Sequence, residues 1–172
     1  MFIFLIIYIA AAGDIPTIEV LAATSILRSH LSNLRIRVIN IVDLMKLQPT
    51  SEHPHGLNDD EYNSLFTKEK QIIMAFHGYP WLIHRLTYRR ENPNLHVRGY
   101  VEEGSITTAF DMTVVNRMDR FHLVMDVIHR LDLQTQQAQA LKILMETKLI
   151  QHVKYINENG VDMPEIVEWR WS

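Results

Sequence analysis

The feature that most constrains this chain is its amino-terminal run, MFIFLIIYIAAA from Met1 to Ala12, broken sharply by Gly13-Asp14. Phe, Ile and Tyr dominate it, and no polar position interrupts it. A helix needs ~20 apolar residues to cross a bilayer, so the run is too short. It has the small residues of a secretory leader but no basic start, the first cation being Arg28. A secreted or membrane-anchored reading rests on this run alone. The reading that fits its length and flanks is a strand buried on both faces, at the centre of a sheet.

Such a strand needs cover on both sides, and the following residues supply it. Asp14 is expected to cap a helix, with Pro16 in its first turn and Glu19 near the positive end of its dipole. Ile18, Leu21, Ala22 and Ile26 recur at helical spacing and are expected to face the sheet. Leu34 to Val42 alternates and is β-branched, which predicts a second strand. Asp43 to Leu47 reads as a helical turn and Pro49 to Gly56 as a loop. Asn58-Asp59-Asp60 opens an acidic helix through Phe66. Gln71 to Phe76 predicts a third strand.

Gly78 to Arg90 is expected to form a helix with two faces. Tyr79, Leu82, Ile83 and Leu86 make its apolar stripe; Trp81, His84, Arg85, Tyr88 and Arg89 occupy much of the other side. After a turn at Pro93, Leu95 to Val101 predicts a fourth strand. Gly104 to Thr108 reads as a loop, and Phe110 to about Leu131 as one helical stretch. A last helix covers Thr135 to Asn159 and stops at Gly160. Ala138, Leu141, Met145, Leu149, His152 and Ile156 track one of its faces. The tail, Val161 to Ser172, carries Trp169 and Trp171. Strand and helix alternate through the first hundred residues. That predicts an α/β fold, a three-layer αβα sandwich with a mostly parallel sheet, in one domain spanning residues 1–172.

Composition narrows the chemistry. With no cysteine, a disulfide scaffold, a thiolate metal site and a cysteine nucleophile are excluded. A formal net charge of -3 leaves no excess of cations to draw nucleic acid or an anionic membrane. Neither GxGxxG, a P-loop nor GxSxG occurs.

The candidate site residues are His77, His84, Arg85, Arg89 and Arg90, with Arg98 beyond them. If Gly78 opens a helix, free amides and the positive dipole end lie beside His77. Arginine forks and oriented amides suit an anion. The same arginines, with Trp81, suit an interdomain or dimer contact, or pairing with Glu91, Glu102 and Glu103. Among nine histidines, His53 and His55 flank Pro54 and are weaker candidates. Zinc needs three or four convergent ligands, and only Glu52 and Asp59 stand near them, so a plain loop is expected. His122, Asp126 and His129 share one helix face, read as solvated or as an interface.

One segment carries more. From His77 the chain reads HGYPWLIHRLTYRR. AGDIPTIEVLAA, RVINIVDLMKLQP and SEHPHGL precede it. NLHVRGYVEEGSITTAFDM, DRFHL, DMPEI and WRW follow. In this order they resemble the C-terminal domain of the phosphoketolases, from about Ala11 to Trp171. The resemblance implies a fold like the transketolase C-terminal domain. It implies a full-length cytoplasmic enzyme that uses thiamine diphosphate and Mg. That enzyme cleaves xylulose 5-phosphate or fructose 6-phosphate with phosphate, giving acetyl phosphate and an aldose phosphate. The domain is expected to support the dimer, with other phosphoketolase domains and a second copy as partners. The alternative is a regulatory module that binds a phosphorylated metabolite through the His/Arg group.

The sequence departs from the family at Ala109, where proline is expected, and in its greasier first nine residues. The family chain has two large domains before this one, and Met1 stands where a family strand begins. The 172 residues alone are therefore expected to be inactive, and to self-associate through Trp169, Trp171 or the Trp81 face. Thiamine-diphosphate enzymes usually hold their metal with Gly-Asp-Gly and a later Asn. Gly13-Asp14 and Asn40 imitate that pattern, but Ile15 replaces the second glycine and opposes close backbone approach to phosphate. Asp14 is read as a helix cap and Asn40 as a strand residue. No catalytic, cofactor-binding or metal residue is expected in this chain.

Overall fold

Leu5–Ala12 forms strand β1, and its neighbours on both sides explain why it carries no polar residue. The computed structural model describes residues 5–101 and 106–171. Met1 to Phe4 of the expected strand lie outside the described residues, as do Glu102, Glu103 and Gly104. Leu34–Asn40 is β2, Ile72–Phe76 is β3 and Leu95–Gly99 is β4. They assemble in the order β2-β1-β3-β4, and every pairing is parallel. The two inner strands are the apolar ones: Ile7, Ile9, Ala10, Ile72, Ile73 and Ala75 are fully buried.

Helices cover both faces. One face carries α1 (Asp14–His30), α5 (Arg120–Arg130) and α6 (Gln136–Asn159) over Ile7, Ile9, Ala11, Ile73 and Ala75. The other carries a 3-10 turn (Leu44–Leu47), α2 (Asp59–Phe66) and α3 (Pro80–Thr87) over Ala10, Ala12, Ile72, Met74 and Phe76. The period of two along each strand divides its side chains between these cores. Two short helices, α4 (Ala109–Val115) and α7 (Pro164–Val167), complete the first layer. No helix among the described residues is long and apolar enough to cross a membrane.

Local signals hold at several places. Asn58 and Glu61 form the reciprocal capping box of α2. Thr135 caps α6, and Gly160 ends it with φ 67, a left-handed conformation that glycine adopts without a Cβ clash. Ala138, Leu141, Met145 and His152 are buried along α6 as expected.

Four expectations are corrected. Asp14 does not cap α1: Gly13 is the N-cap, without a side-chain cap bond, and Asp14 is the first helical residue. Gly13 takes φ 105 because the ends of β1 and β3 converge there; a Cβ at this position would lie 2.5 Å from that of His77. The apolar stripe of α1 holds only in part: Ala22 is buried and Ile26 packs against the core, but Ile18 is exposed, and Glu19, Val20, Ala23 and Leu27 also face inward. Helical period alone does not reveal that Glu19 has a buried partner, and Arg120 supplies one.

The third correction concerns α3. It begins at Pro80, with Tyr79 as N-cap, and ends at Thr87. Proline fixes its own φ for the first helical position and has no N–H to offer. Gly78 stays in the connection, where its carbonyl accepts from the Tyr100 amide at 3.0 Å. Tyr79, placed in the apolar stripe, is exposed. The fourth is that Phe110 to Leu131 is not one helix. Asp119 accepts from the amides of Phe121 and His122 and so starts α5 afresh. The Asn116 side chain accepts from the Val101 amide at 2.7 Å, and Arg117 adopts φ 55 between the two helices. Asn and Asp side chains compete with the helical backbone in this way.

Candidate functional site

Successive connections leave β1 and β3 in opposite directions, which makes the carboxyl ends of these strands the topological switch point of the sheet. Gly13 and His77 meet there. The His77 amide donates to Ala12 O at 2.9 Å, and its ring lies 5.2 Å from that of Tyr100. The imidazole is exposed. The free helical amides expected beside it do not form, because α3 starts at Pro80.

The expected His/Arg group separates in space. Arg85 and Arg89 lie on the exposed side of α3 and the turn after it, both over the Tyr88 ring, at 4.7 and 5.4 Å. Arg89 also pairs with Glu52 at 3.1 Å and donates to Tyr88 Oη at 2.6 Å. The Tyr88 hydroxyl, then the Glu52 charge, raise its pKa above the ordinary guanidinium value. His84 is exposed on the same helix, and Trp81 is 65% exposed.

Arg90 has a different role. Its side chain is 3% exposed. Nε donates to Leu47 O, Nη2 to Gln48 O and Leu57 O, and Nη1 to Asp59 Oδ1. Its guanidinium also lies 4.0 Å from the Tyr62 ring centroid. Arg90 therefore ties the Leu47–Leu57 loop to α2, with its fork already occupied. Glu91, an expected acid partner for these arginines, pairs with Lys68 instead, at 2.6 Å.

Arg98 is on the opposite face of the sheet. Val97 points towards α3, so the neighbouring Arg98 points towards α5 and pairs with Asp126 at 2.7 Å. His53 and His55 do meet, their rings perpendicular at 5.2 Å, and His55 Nδ1 lies 3.4 Å from Asp43. Among the described residues no group of three or more His, Asp or Glu side chains converges for a metal.

The apparent diphosphate-metal motif fails a test of fit. Gly13, Asp14, Thr17 and Asn40 do border one depression, of about 410 Å3. Asp14 is its one carboxylate, and neither Lys nor Arg lines it. The Thr17 hydroxyl donates back to Gly13 O at 2.7 Å. A magnesium diphosphate needs several oxygen ligands and cationic or amide donors together, and these residues do not supply them.

The larger concavity is elsewhere. A basin of about 600 Å3 opens between β4, the α4–α5 link, α5 and α6. Arg98, Arg117, His122, His129, Arg130 and Lys142 line it, with Asp126 and Glu146. Asp126 is 10% exposed and is shared by Arg98 at 2.7 Å and Arg130 at 3.4 Å. Burial, then the Arg130 charge, holds nearby His96 below the ordinary imidazole value. The sequence puts His122, Asp126 and His129 on one face of a helix and groups Arg98 instead with the cations that follow His77. It does not join them, because Arg117 and Lys142 arrive from other elements.

A second missed pair is buried. Arg120 donates through Nε and Nη2 to the two carboxylate oxygens of Glu19, at 2.9 and 2.8 Å, and its amide donates to the same group. Phe110 and Trp169 flank the guanidinium. No local signal joins residues so far apart in sequence.

Comparison with known proteins places these features in a family. The model of the XFP C-terminal domain matches residues 6–171. A probable phosphoketolase of Rhodopirellula baltica is 64% identical over 96% of this chain and 21% of its own length. One from Nitrosomonas europaea is also 64% identical over the same shares. A probable phosphoketolase 2 of Nostoc is 58% identical, again over 96% of this chain and 21% of its own. The chain thus spans about a fifth of the length of the curated relatives it matches. An all-parallel sheet between helical layers, and a match from end to end of the described fold, make this chain a member of the phosphoketolase family, corresponding to its C-terminal domain.

Proposed function

We propose that this chain serves as the C-terminal domain of a cytoplasmic, thiamine-diphosphate-dependent phosphoketolase, a carbon-carbon lyase of carbohydrate metabolism. That enzyme cleaves xylulose 5-phosphate or fructose 6-phosphate with inorganic phosphate, yielding acetyl phosphate and a shorter aldose phosphate. The observation that carries the reading is the family match over residues 6–171. The domain's contribution is structural: it supports the enzyme's other domains and its dimer. The cofactor and its Mg are held by parts of the enzyme outside these 172 residues, in keeping with the poor fit around Asp14 and Asn40.

The contact surface in this reading is the outer side of α3. Trp81, Tyr79 and Tyr88 are exposed there, and His84, Arg85, Arg89 and, at its edge, His77 surround them. Aromatic residues and arginine are the types enriched at protein interfaces. The test is to incubate the 172-residue chain with xylulose 5-phosphate, phosphate, magnesium and thiamine diphosphate. The expected result is no acetyl phosphate. Stoichiometric, cofactor-dependent turnover by this chain alone overturns the structural reading.

A further inference from the structure

We propose that the basin between β4, α5 and α6 binds a phosphorylated small molecule. Its volume of about 600 Å3 is in the range of small-molecule sites. The walls, however, are mainly charged rather than apolar. Four permanent cations, Arg98, Arg117, Arg130 and Lys142, face two carboxylates, Asp126 and Glu146. The surplus is local, since the chain as a whole is acidic at -3.

The cations are held in place rather than neutralised. Asp126 is nearly buried and is divided between Arg98 and Arg130, so one carboxylate pairs with two guanidinium groups. Each guanidinium has five donors, and two carboxylate oxygens cannot occupy both sets. Lys142 and Glu146 are 4.0 Å apart and both half exposed, a pair that water screens. Arg117 has no carboxylate partner among the described residues. It takes φ 55, a conformation costly for a side chain with a Cβ, and there it borders the basin.

His122 is fixed from below, its Nδ1 held by Asp119, and His129 stands about two turns further along the same face of α5. Met125 and Leu149 add a small apolar area against which a sugar or a base can rest. Forked donors from three elements, imidazoles and a lysine match phosphate oxygens. A ligand without negative charge would leave these groups uncompensated. The site is distinct from the α3 surface, which faces away on the other side of the sheet.

The test is isothermal titration of the 172-residue chain with pyrophosphate, ribose 5-phosphate, AMP and ATP, with adenosine as the control lacking phosphate. Saturable binding of at least one phosphorylated probe is expected, and none of adenosine. The variant R117G/K142A leaves the Asp126 ion pairs intact, and glycine accepts the positive φ at 117. It should weaken binding at least tenfold. R85A/R89A, on the other face, should stay within twofold of the parent. If R117G/K142A does not fold, as read by circular dichroism, K142A alone should weaken binding about threefold. A stronger response to ribose 5-phosphate than to AMP supports a sugar-phosphate site, and the reverse supports a nucleotide site. No saturable binding at millimolar probe, undiminished binding in R117G/K142A or K142A, or equal loss in R85A/R89A overturns the proposal.

Discussion

The two faces of the sheet each bury one arginine, and they satisfy it in different ways. Under α1 and α5, Arg120 meets a carboxylate: Glu19 is itself 4% exposed and takes both arms of the fork. Under α2 and α3, Arg90 meets backbone: three carbonyls of the Leu47–Leu57 loop accept its protons, and its carboxylate partner, Asp59, is 80% exposed. The first arrangement joins two helices that are distant in sequence. The second shapes a loop whose only β pairing among the described residues is an isolated bridge between Pro49 and Leu57. The difference teaches that a buried cation can serve as tertiary cement or as local scaffolding, according to what surrounds it.

The largest expected effect is on the first face. Glu19→Ala leaves the Arg120 charge buried without its partner, which costs about 3–5 kcal/mol. Urea denaturation of the variant checks this; a loss under 1 kcal/mol would break the comparison by showing that Phe110, Trp169 and water suffice. On the second face, Arg90→Ala strips donors from three carbonyls, at about 3 kcal/mol in all once water reaches some of them. The same measurement applies, and faster proteolysis between Leu47 and Leu57 is expected as well.

A smaller effect distinguishes the faces by pH. Burial, opposed by the nearby Arg90 charge, pushes the Tyr62 hydroxyl up to about 12. The unfolded chain ionises this group near 10, so its contribution is complete below pH 10 and is lost as pH rises from 10 towards 12. The loss should be of order 2 kcal/mol across that window, seen as falling denaturation midpoints, and Tyr62→Phe should abolish its Tyr62-dependent part. The smallest effect is at the α3 surface. Arg85→Ala and Arg89→Ala should leave the midpoint unchanged, because exposed ion pairs contribute little. Trp81→Ala should lower self-association in sedimentation velocity without loss of stability; an unaltered association constant removes Trp81 from the contact.

Most of the strands were legible because burial on both faces leaves an apolar run that few other structures explain. β1 and β3 are such runs, and the alternation in β2 predicts a strand with one face better covered. The α2 and α6 boundaries were legible too, since Asn58, Thr135 and Gly160 act on their own neighbours. The errors share a cause. Asp14 stands where a cap is expected, but the approach of β3 to β1 makes Gly13 the cap. Phe110 to Leu131 has the pattern of one helix, but Asp119 and Asn116 have partners that interrupt it. The candidate cations were grouped by closeness in sequence, and strand alternation sent Arg98 to the far side of the sheet.

By itself, then, the sequence determined the α/β class, the parallel order of events along the chain and, through HGYPWLIHRLTYRR, the family. These rest on period, propensity and local hydrogen bonding, which act over a few residues. The tertiary structure alone decided which charges meet. Glu19 finds Arg120, Arg90 finds the carbonyls of Leu47 and Leu57, and Arg98 finds Asp126 beside Arg117 and Lys142. Electrostatic partners are chosen by distance and burial after the layers have packed, and neither quantity is written in the spacing of residues along one chain.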